Sequence, residues 1–298
     1  MSNTDGIITK NVVGLFSKPS IDSEQVTQAI MGQKVRVEKG KDGWLFVETW
    51  DAYHGWIQSR WVRGRKPEIP NPKSKISKIV VVASLFTDAY ESPSPNPFEI
   101  KTKLVVTSEL ELLEADHRLA RIKTLDGREA WGVKVIEPRS SLIHVRLPDG
   151  DEAWVLSACV RILDSIEREL PIGPTGEELL QTARRFMGVP YLWGGTSPFG
   201  IDCSGFVQLV CKLNGVNFPR DAEMQAKDPK GIAVMKTGLV EGDLIFFSSK
   251  EDKSRINHVG MSCGDGTFIH STGGIGVTIN RLDEEYFQSN CHSALRMV

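Results

Sequence analysis

The sequence has neither the long apolar runs of membrane proteins nor an excess of one charge. No stretch of about 18 consecutive apolar residues occurs, so no segment is predicted to span a membrane. Lysine and arginine total 36 against 38 aspartates and glutamates, which leaves a net charge of −2. This balance predicts neither nucleic acid nor an anionic membrane surface as a partner.

Cysteine is scarce and irregularly placed. The five cysteines are an odd number, none precedes residue 159, and none has CxxC spacing. We therefore predict no disulfide framework and no metal site, and the bare first half favours a reducing compartment. The segment 1–6 also lacks the basic and apolar regions of a signal peptide. We expect a cytoplasmic protein; a removed leader and a periplasmic or secreted location are the alternative.

The 298 residues suffice for about two to three domains. Residues 1–66 contain short runs of strand-forming residues separated by turn residues, which predicts a small β-barrel. Strands are expected at 12–16, 33–39, 44–49 and 55–58. The proline-rich residues 67–75 predict a semi-rigid linker.

Residues 76–163 are again rich in strand-forming residues. The pattern Asp126–Trp131 is repeated at Asp149–Trp154, and we interpret the two as hairpins within a second, enlarged barrel. The proline-rich insert Ser92–Pro97 predicts a loop. Tryptophans of both barrels are expected in the barrel cores rather than as sugar-stacking platforms. They are Trp44, Trp56, Trp131 and Trp154.

Residues 174–298 change to helices followed by strands, which predicts an α+β domain. Thr175 and Glu178 form a capping box ahead of an apolar periodic run. Asp202 is placed to cap a second helix, whose apolar residues recur with helical spacing from 206 to 213. Strands are expected to follow at 243–248, 256–262 and 267–271.

Cys203 begins this second helix. Free backbone N–H groups and the positive end of the helix dipole stabilise a thiolate at that position. Helix N-termini and neighbouring histidines lower cysteine pKa values to about 3.5–7.5. We therefore expect Cys203 to be a nucleophile with a lowered pKa, assisted by a base and by a group that orients the base.

His258 and His270 are the candidate bases, since they flank a turn at 263–265. If 263–265 form a three-residue loop, then 262 pairs with 266 and His258 lies directly opposite His270, with Cβ atoms about 4.5–5.5 Å apart. A two-residue loop would send the two rings to opposite faces. Two histidines downstream of a helix-start cysteine favour a catalytic group over a pair of core histidines.

Four motifs in this region closely resemble the NlpC/P60 family of cell-wall peptidases. They are Asp202–Phe206, Gly242–Phe247, Asn257–Gly260 and Ile269–His270. The resemblance covers about residues 174–298 and implies a papain-like α+β core. It also implies Cys203 as nucleophile, His258 as base and His270 as the residue that orients the base, with no metal or organic cofactor.

The pattern Gly43–Val47 followed by Gly55–Ile57 resembles bacterial SH3-like (SH3b) domains. The expected fold is therefore multidomain, with two small all-β SH3-like barrels followed by the α+β papain-like domain. This order looks like the subgroup that includes YkfC and dipeptidyl-peptidase VI. It implies a γ-D-glutamyl-L-diamino acid endopeptidase of cell-wall recycling. Such enzymes cut between γ-D-Glu and diaminopimelate or lysine in murein stem peptides with a free N-terminal L-Ala, releasing L-Ala-γ-D-Glu.

The same resemblance implies the substrate-binding residues. Asp221 matches the carboxylate that binds the substrate amine, because a buried ammonium needs a charged partner. Arg220 matches its neighbour, which would pair with the α-carboxylate of D-Glu. The other candidates form the aromatic wall, flank the nucleophile, or wall off the amine from the first barrel, where solvated surface residues are the alternative. They are Tyr191 and Trp193, Asp202 and Ser204, and Glu24 and Tyr53.

Three alternatives stay open from the sequence. The same core could belong to an exported hydrolase of intact wall with the barrels as anchors, to a non-catalytic wall-binding protein, or to a relative acting on acyl lipids. The presence of Cys203, His258 and His270 argues against the second, and the order cysteine then histidine against the third. We expect a murein peptide as the partner, no nucleic acid or membrane, and favour a monomer.

Overall fold

The computed structural model describes residues 4–64, 79–93, 97–114, 119–123, 129–133, 142–163, 173–249 and 251–297. The chain divides into two compact units, one of Met1–Pro67 with Glu167–Val298 and the other of Glu68–Ile166. The linker predicted at 67–75 lies outside the described residues, as does the middle of the predicted loop at 92–97. Among the described helices, none is both long and apolar enough to cross a membrane.

Seven antiparallel strands form the first sheet, in the order β3-β2-β6-β5-β4-β1-β7. All seven contribute apolar side chains to one cluster that includes Ile8, Leu15 and Ile57, so the sheet must curl around it. The four predicted strands are present, and three more join them. The strands are β1 (Thr4–Ile8), β2 (Val12–Phe16), β3 (Gln25–Ile30), β4 (Lys34–Lys41), β5 (Trp44–Glu48), β6 (His54–Gln58) and β7 (Val62–Gly64).

The tryptophans of this sheet do not occupy its core. Val47 and Ile57 are fully buried, and side chains alternate between the two faces of a strand. Trp44 and Trp56 therefore lie on the outer face and are only half-buried. There the Trp56 ring centroid lies 5.3 Å from that of Phe46. The expectation that the tryptophans fill the barrel core was wrong for these two, because the smaller aliphatic residues have the inward parity.

The second unit repeats the topology of the first sheet. Its seven-stranded sheet has the order β10-β9-β15-β14-β11-β8-β16, which is the first order with each strand replaced by its counterpart along the chain. The enlargement is the separate β12–β13 hairpin, inserted between the counterparts of β4 and β5. The strands are β8 (Ile79–Val82), β9 (Phe86–Tyr90), β10 (Ile100–Val105), β11 (Glu109–Glu114), β12 (Leu119–Lys123), β13 (Glu129–Val133), β14 (Leu142–Arg146), β15 (Glu152–Leu156) and β16 (Val160–Leu163).

The two predicted hairpins of this unit are present as paired strands, β12 with β13 and β14 with β15. The loop 124–128, which begins the first of the two repeated patterns, lies outside the described residues, and so does the side chain of Trp131. Trp154 is half-buried and stacks on His144, with ring centroids 4.4 Å apart. Like Trp44 and Trp56, Trp154 is not a core residue.

Helices precede a six-stranded antiparallel sheet in the last region, as the pattern predicts. The sheet order is β19-β24-β20-β21-β22-β23, so three strands accompany the three expected ones. The elements are α1 (Gly176–Arg184), β17 (Thr196–Ser197), β18 (Gly200–Ile201), α2 (Cys203–Leu213), α3 (Ala222–Gln225), β19 (Gly231–Ala233), β20 (Leu244–Ser248), β21 (Ile256–Ser262), β22 (Thr267–Thr272), β23 (Gly276–Arg281), α4 (Glu285–Asn290) and β24 (Cys291–Met297).

Helix α2 lies against β21 and β22. Every residue from Cys203 to Cys211 is buried, so α2 is the central helix of this region rather than an amphipathic surface helix. Both predicted caps are present. Thr175 and Glu178 form the complete capping box of α1, and the Asp202 side chain accepts a hydrogen bond from the Gly205 N–H at 2.7 Å.

The β21–β22 hairpin is one residue out of the expected register. Met261 pairs with Ile269 and Ser262 with Phe268, while the Cys263 N–H bonds the Thr267 carbonyl. The three-residue loop is therefore 264–266, whose glycines supply positive φ angles of 83° and 82° at its ends. Because the loop begins one residue later, the partner of each β21 residue moves by two positions along β22. His258 is thus not directly opposite His270 as expected, but side chains alternate with period two, so both rings stay on one face.

Candidate active site

Cys203 lies at the first position of α2, only 8% exposed. The strand that carries His258 runs beside Cys203, since the backbone N–H of the next residue, Val259, donates a hydrogen bond to the Cys203 sulfur. Burial raises the pKa of Tyr191 to about 12, and negative charge on the Cys203 sulfur contributes to the rise, so the Tyr191 hydroxyl lies close to the thiol. The thiol therefore lies between the free end of a helix, a protonated tyrosine and the histidine strand.

Arg220 holds the start of α2 in place. Its guanidinium donates to both carboxylate oxygens of Asp202, at 3.0 and 2.5 Å, to Ser204 Oγ at 2.9 Å and to Thr27 Oγ1 at 3.1 Å. Asp202 also accepts from the Gly194 N–H at 2.9 Å. Arg220 is 2% exposed, and Asp202 and Ser204 are 7% exposed.

This geometry corrects the expectation that Arg220 pairs with a substrate carboxylate. Its donors are directed at protein oxygens, and a planar guanidinium engaged with a carboxylate in this way is a framework element. Asp202 and Ser204, the chain neighbours of Cys203, likewise belong to this network. Sequence matching located these three residues at the site, but their hydrogen-bond partners only became visible in three dimensions.

Four polar side chains form a hydrogen-bonded chain that starts at His258. His258 Nε2 lies 2.7 Å from His270 Nδ1, and His270 Nε2 lies 2.9 Å from Asn280 Oδ1. Asn280 Nδ2 then donates to both carboxylate oxygens of Glu284, at 3.0 and 3.1 Å. His270 is fully buried. We call these four residues the histidine chain.

The chemistry of its last member determines the protonation of the others. A carboxylate only accepts hydrogen bonds, so Glu284 requires the amide nitrogen of Asn280 to face it, which leaves Asn280 Oδ1 to accept from His270 Nε2–H. A neutral His270 then accepts at Nδ1 from His258 Nε2–H. The unprotonated nitrogen of His258 is therefore Nδ1, and this nitrogen remains available as a base.

The structure does not support the expected lowering of the thiol pKa. Burial raises the pKa of Cys203 to about 12, and the Asp202 carboxylate adds to the rise; the Val259 N–H, Arg220 and the Ser204 N–H oppose it less strongly. Burial and the neighbouring His270 hold the pKa of His258 well below its ordinary 6.5. Both shifts favour a neutral thiol and a neutral imidazole, because desolvation here outweighs the helix dipole.

The first sheet supplies one wall of the same cleft. The Tyr53 hydroxyl donates to both carboxylate oxygens of Asp221, at 3.2 and 3.0 Å, although the residues are 168 positions apart. Trp193 Nε1 donates to Glu24 Oε1 at 2.9 Å. Burial raises the pKa of Asp221 above its ordinary 3.8, against the opposing effects of Tyr53 and Arg220. Glu24 and Tyr53 thus meet Asp221 and Trp193 as the family resemblance implied.

Several further contacts join the first sheet to the helical region. Gln208 Nε2, inside α2, donates to Asp51 Oδ2 at 2.6 Å, and the Thr196 N–H donates to Gln28 Oε1 at 2.9 Å. Gly194 has φ +70°, and a Cβ on it would lie 2.4 Å from the Gln25 carbonyl oxygen. The close backbone approach therefore requires glycine there.

These contacts enclose a cleft of about 780 Å³. It is lined by Glu24, Tyr53, Cys203 and Asp221, among others. Its lining also includes charged residues in and just after α3 and in the connection between β20 and β21, which the sequence analysis did not identify. They are Glu223, Lys227, Glu251, Asp252 and Arg255.

One group of potential metal ligands occurs in the parts of the chain that the structure describes, and it lies outside this cleft. The ligand atoms of Glu38, Glu48 and His54 lie within 4.8 Å of one another. Arg36 pairs with Glu48, and His54 Nε2 lies 3.1 Å from Glu38 Oε1. Ion pairing accounts for this cluster, and we assign it no metal.

Sequence reasoning missed Asn280 and Glu284. Asn280 lies in β23, a strand that was not predicted, and Glu284 caps α4 just after it, so nothing placed Asn280 beside His270. Their spacing of four offered a weak signal, since Glu284 Oε1 also accepts from the Arg281 N–H at 2.8 Å in a local turn. The charged residues of the cleft lining were missed because they come from elements that are separate in the sequence.

Comparison with known proteins agrees with this geometry. Residues 188–296 match the NlpC/P60 family, and residues 15–60 match the bacterial dipeptidyl-peptidase SH3 domain. The chain is 29% identical over 253 residues to a gamma-D-glutamyl-L-lysine dipeptidyl-peptidase of Bacillus cereus, which covers 82% of this chain and 66% of that relative. It is 28% identical to dipeptidyl-peptidase 6 of Lysinibacillus sphaericus, over 95% of this chain and 93% of the relative.

A solved structure extends the likeness to the whole chain. The crystal structure of an NlpC/P60 family protein from Bacillus cereus superposes with a TM-score of 0.77 at 25% identity, covering 99% of both chains. The resemblance inferred from the four motifs is thereby confirmed, as is the multidomain fold with an SH3-like N-terminal region. The chain belongs to the NlpC/P60 family of cysteine peptidases.

Proposed function

We propose that this protein is a cysteine endopeptidase that cuts the γ-D-Glu–diamino acid bond of murein peptides with a free N-terminal L-Ala. The observation that carries the proposal is a buried thiol beside the strand of an oriented histidine, in a cleft that the Asp221 carboxylate also lines. The names of the relatives from Bacillus cereus and Lysinibacillus sphaericus support a dipeptidyl-peptidase.

The first step forms a thioester. His258 Nδ1 takes the thiol proton as Cys203 Sγ attacks the γ-carbonyl carbon of D-Glu. The carbonyl oxygen becomes an oxyanion, which the backbone N–H groups at the free start of α2 stabilise. The C–N bond then breaks, and the imidazolium of His258 gives its proton to the departing amine.

The second step releases the product. Water enters the place of the amine and loses a proton to His258 Nδ1 as its oxygen attacks the thioester. The C–S bond breaks, L-Ala-γ-D-Glu departs, and the sulfur recovers the proton from His258. His270 holds the histidine ring and shares the positive charge, and Asn280 and Glu284 support that charge from behind. Because thiol and imidazole both rest neutral, the charge pair forms only during the reaction.

The amine requirement comes from the wall contributed by the first sheet. A peptide ammonium in this part of the cleft lies close to Asp221, with Glu24 nearby and Tyr53 holding the Asp221 carboxylate in position. An acetylated N-terminus has no charge to offer and leaves that half-buried carboxylate without a cationic partner, which is unfavourable. A barrel that walls off the cleft also favours trimmed peptides over intact wall.

The proposal is tested by mass spectrometry of L-Ala-γ-D-Glu-diaminopimelate, supplied free and N-acetylated. We expect release of L-Ala-γ-D-Glu from the free peptide and at most a trace from the acetylated one. Cys203→Ala serves as the background control. Equal cutting of both peptides would remove the amine requirement, and no cutting by the folded wild type would refute the peptidase proposal.

The pH dependence of catalysis should report on the histidine chain. Since burial and His270 lower the pKa of His258, this base stays neutral on acidification past 6.5, and kcat/KM should fall only below that pH. In Glu284→Gln the side chain at 284 can donate as well as accept, so the Asn280 amide is free to flip. His270 and His258 are then no longer fixed in the tautomers that keep His258 Nδ1 unprotonated. We expect kcat to fall about tenfold, equal to about 1.4 kcal/mol, without an upward shift of the acid limb.

The matched control is Glu285→Gln, which removes the same charge from the next residue of α4 and has no bond to Asn280. It should leave kcat within twofold of the wild type. A wild-type kcat/KM that has already fallen to half its maximum when acidification reaches pH 7 would contradict the role assigned to the histidine chain. Equal losses of kcat in the two variants would contradict it as well.

A further inference from the structure

One group of charged residues in the cleft lining has no part in the proposed reaction as written. It comprises Glu223 of α3 and Lys227, which follows α3, together with Asp252 and Arg255 of the connection between β20 and β21; we call it the charged half of the cleft. That connection leads directly into Asn257 and His258. Since His258 gives its proton to the departing nitrogen, the amino acid that carries this nitrogen must lie near His258 and hence near the end of this connection.

In the charged half, three side chains have hydrogen-bond or ion-pair partners, and one has none among the described residues. Lys227 Nζ pairs with Glu223 Oε1 at 2.7 Å. Asp252 accepts from the Ser254 N–H and hydroxyl, at 2.9 and 2.6 Å, which forms the turn before Arg255. Arg255 lies near enough to Glu223 and Asp252 for its charge to lower the pKa of both carboxyls, in each case as a minor cause.

The Arg255 side chain is exposed at the cleft, and it makes no hydrogen bond or ion pair with any residue that the structure describes. A guanidinium presents a rigid fork of N–H donors that fits a carboxylate in two-point fashion. The other arginine of the cleft, Arg220, was expected to bind the α-carboxylate of D-Glu, but its guanidinium is engaged with Asp202. Arg255 therefore remains as the cleft arginine with donors directed at no described protein group.

We propose that this half of the cleft is the subsite for the leaving diamino acid, and that Arg255 binds a carboxylate of that residue. The inference rests on the proposed peptidase function. A diamino acid carries both carboxylate and ammonium groups, and a subsite of mixed charge with acidic Glu223 and Asp252 beside the arginine is complementary to it. Diaminopimelate offers an α-carboxylate and a second carboxylate on its side chain, whereas lysine offers the α-carboxylate alone.

The test compares the wild type with Arg255→Gln on three free-amine peptides. These end in diaminopimelate, in L-lysine, or in L-lysine amide, and so offer two, one or no leaving-group carboxylates. We expect Arg255→Gln to lower kcat/KM for diaminopimelate about tenfold, the effect of one charge-assisted hydrogen bond at a partly hydrated site. The lysine amide should change less than twofold.

The lysine peptide identifies which carboxylate is bound. A tenfold loss with lysine as well assigns the α-carboxylate, and a loss confined to diaminopimelate assigns the side-chain carboxylate; either supports the subsite. Equal losses on all three peptides, or none, would overturn it. Arg184→Gln, an exposed arginine of α1 outside the cleft, is the control for charge alone. Failure of the wild type to cut any peptide would instead refute the peptidase function.

Discussion

Replacement of Asp221 by asparagine is expected to lower kcat/KM for L-Ala-γ-D-Glu-diaminopimelate by about 10²–10³-fold. Removing one partner of a largely desolvated charge pair costs about 2–5 kcal/mol, and asparagine keeps the shape while losing the charge. The N-acetylated peptide has no ammonium to lose, so its low rate should change less than threefold. The measurement is kcat/KM for both peptides with wild type and variant.

Two comparisons make this result specific. Asp22→Asn removes the same charge from an exposed turn of the first barrel outside the cleft, and should leave both rates unchanged. Tyr53→Phe removes the hydroxyl that donates to Asp221 and should weaken the preference for the free peptide in the same direction. A variant Asp221→Asn that still prefers the free peptide by the wild-type factor would exclude this carboxylate as the amine site.

Arg220→Met should destabilise the fold by about 3–5 kcal/mol, the usual effect of removing one partner from a buried ion pair. Asp202 is 7% exposed and would keep its charge without the guanidinium. The same change would remove the Arg220–Thr27 hydrogen bond between the helical region and the first sheet. The difference is measured as the shift in the denaturant midpoint, followed by tryptophan fluorescence.

A second variant separates loss of the ion pair from general damage. In Arg220→Met with Asp202→Asn neither position of the former ion pair carries a charge, and asparagine still caps a helix. The double variant should therefore be more stable than Arg220→Met alone, which is the coupling expected of contacting residues. Exposed Arg184→Met is the size-matched control. An Arg220→Met protein within 1 kcal/mol of the wild type would contradict the framework role.

The sequence alone predicted those features that depend on neighbouring residues. The capping box at Thr175, the Asp202 cap and helix α2 follow from hydrogen bonds and apolar spacing within a few positions, and all three are present. The shared face of His258 and His270 was also predictable. Side chains alternate with period two, so the loop could begin one residue later without separating the rings.

Only the tertiary structure decided how the candidate residues divide their work. Arg220 and Asp221 are adjacent in sequence, yet the first is buried against Asp202 and the second opens into the cleft with Tyr53. Which of two adjacent side chains is buried depends on what packs against them, and here that is a barrel 168 positions earlier in the chain.

The thiol pKa and the histidine chain were likewise decided in three dimensions. A helix start near a histidine predicted a lowered pKa for Cys203, but enclosure of the sulfur raises it, and the extent of desolvation cannot be read from local spacing. Asn280 joins His270 because β23 pairs with β22. The sequence by itself therefore determined the family and singled out Cys203 and His258 as the candidate nucleophile and base, whereas long-range packing determined the protonation states, the framework and the lining of the cleft.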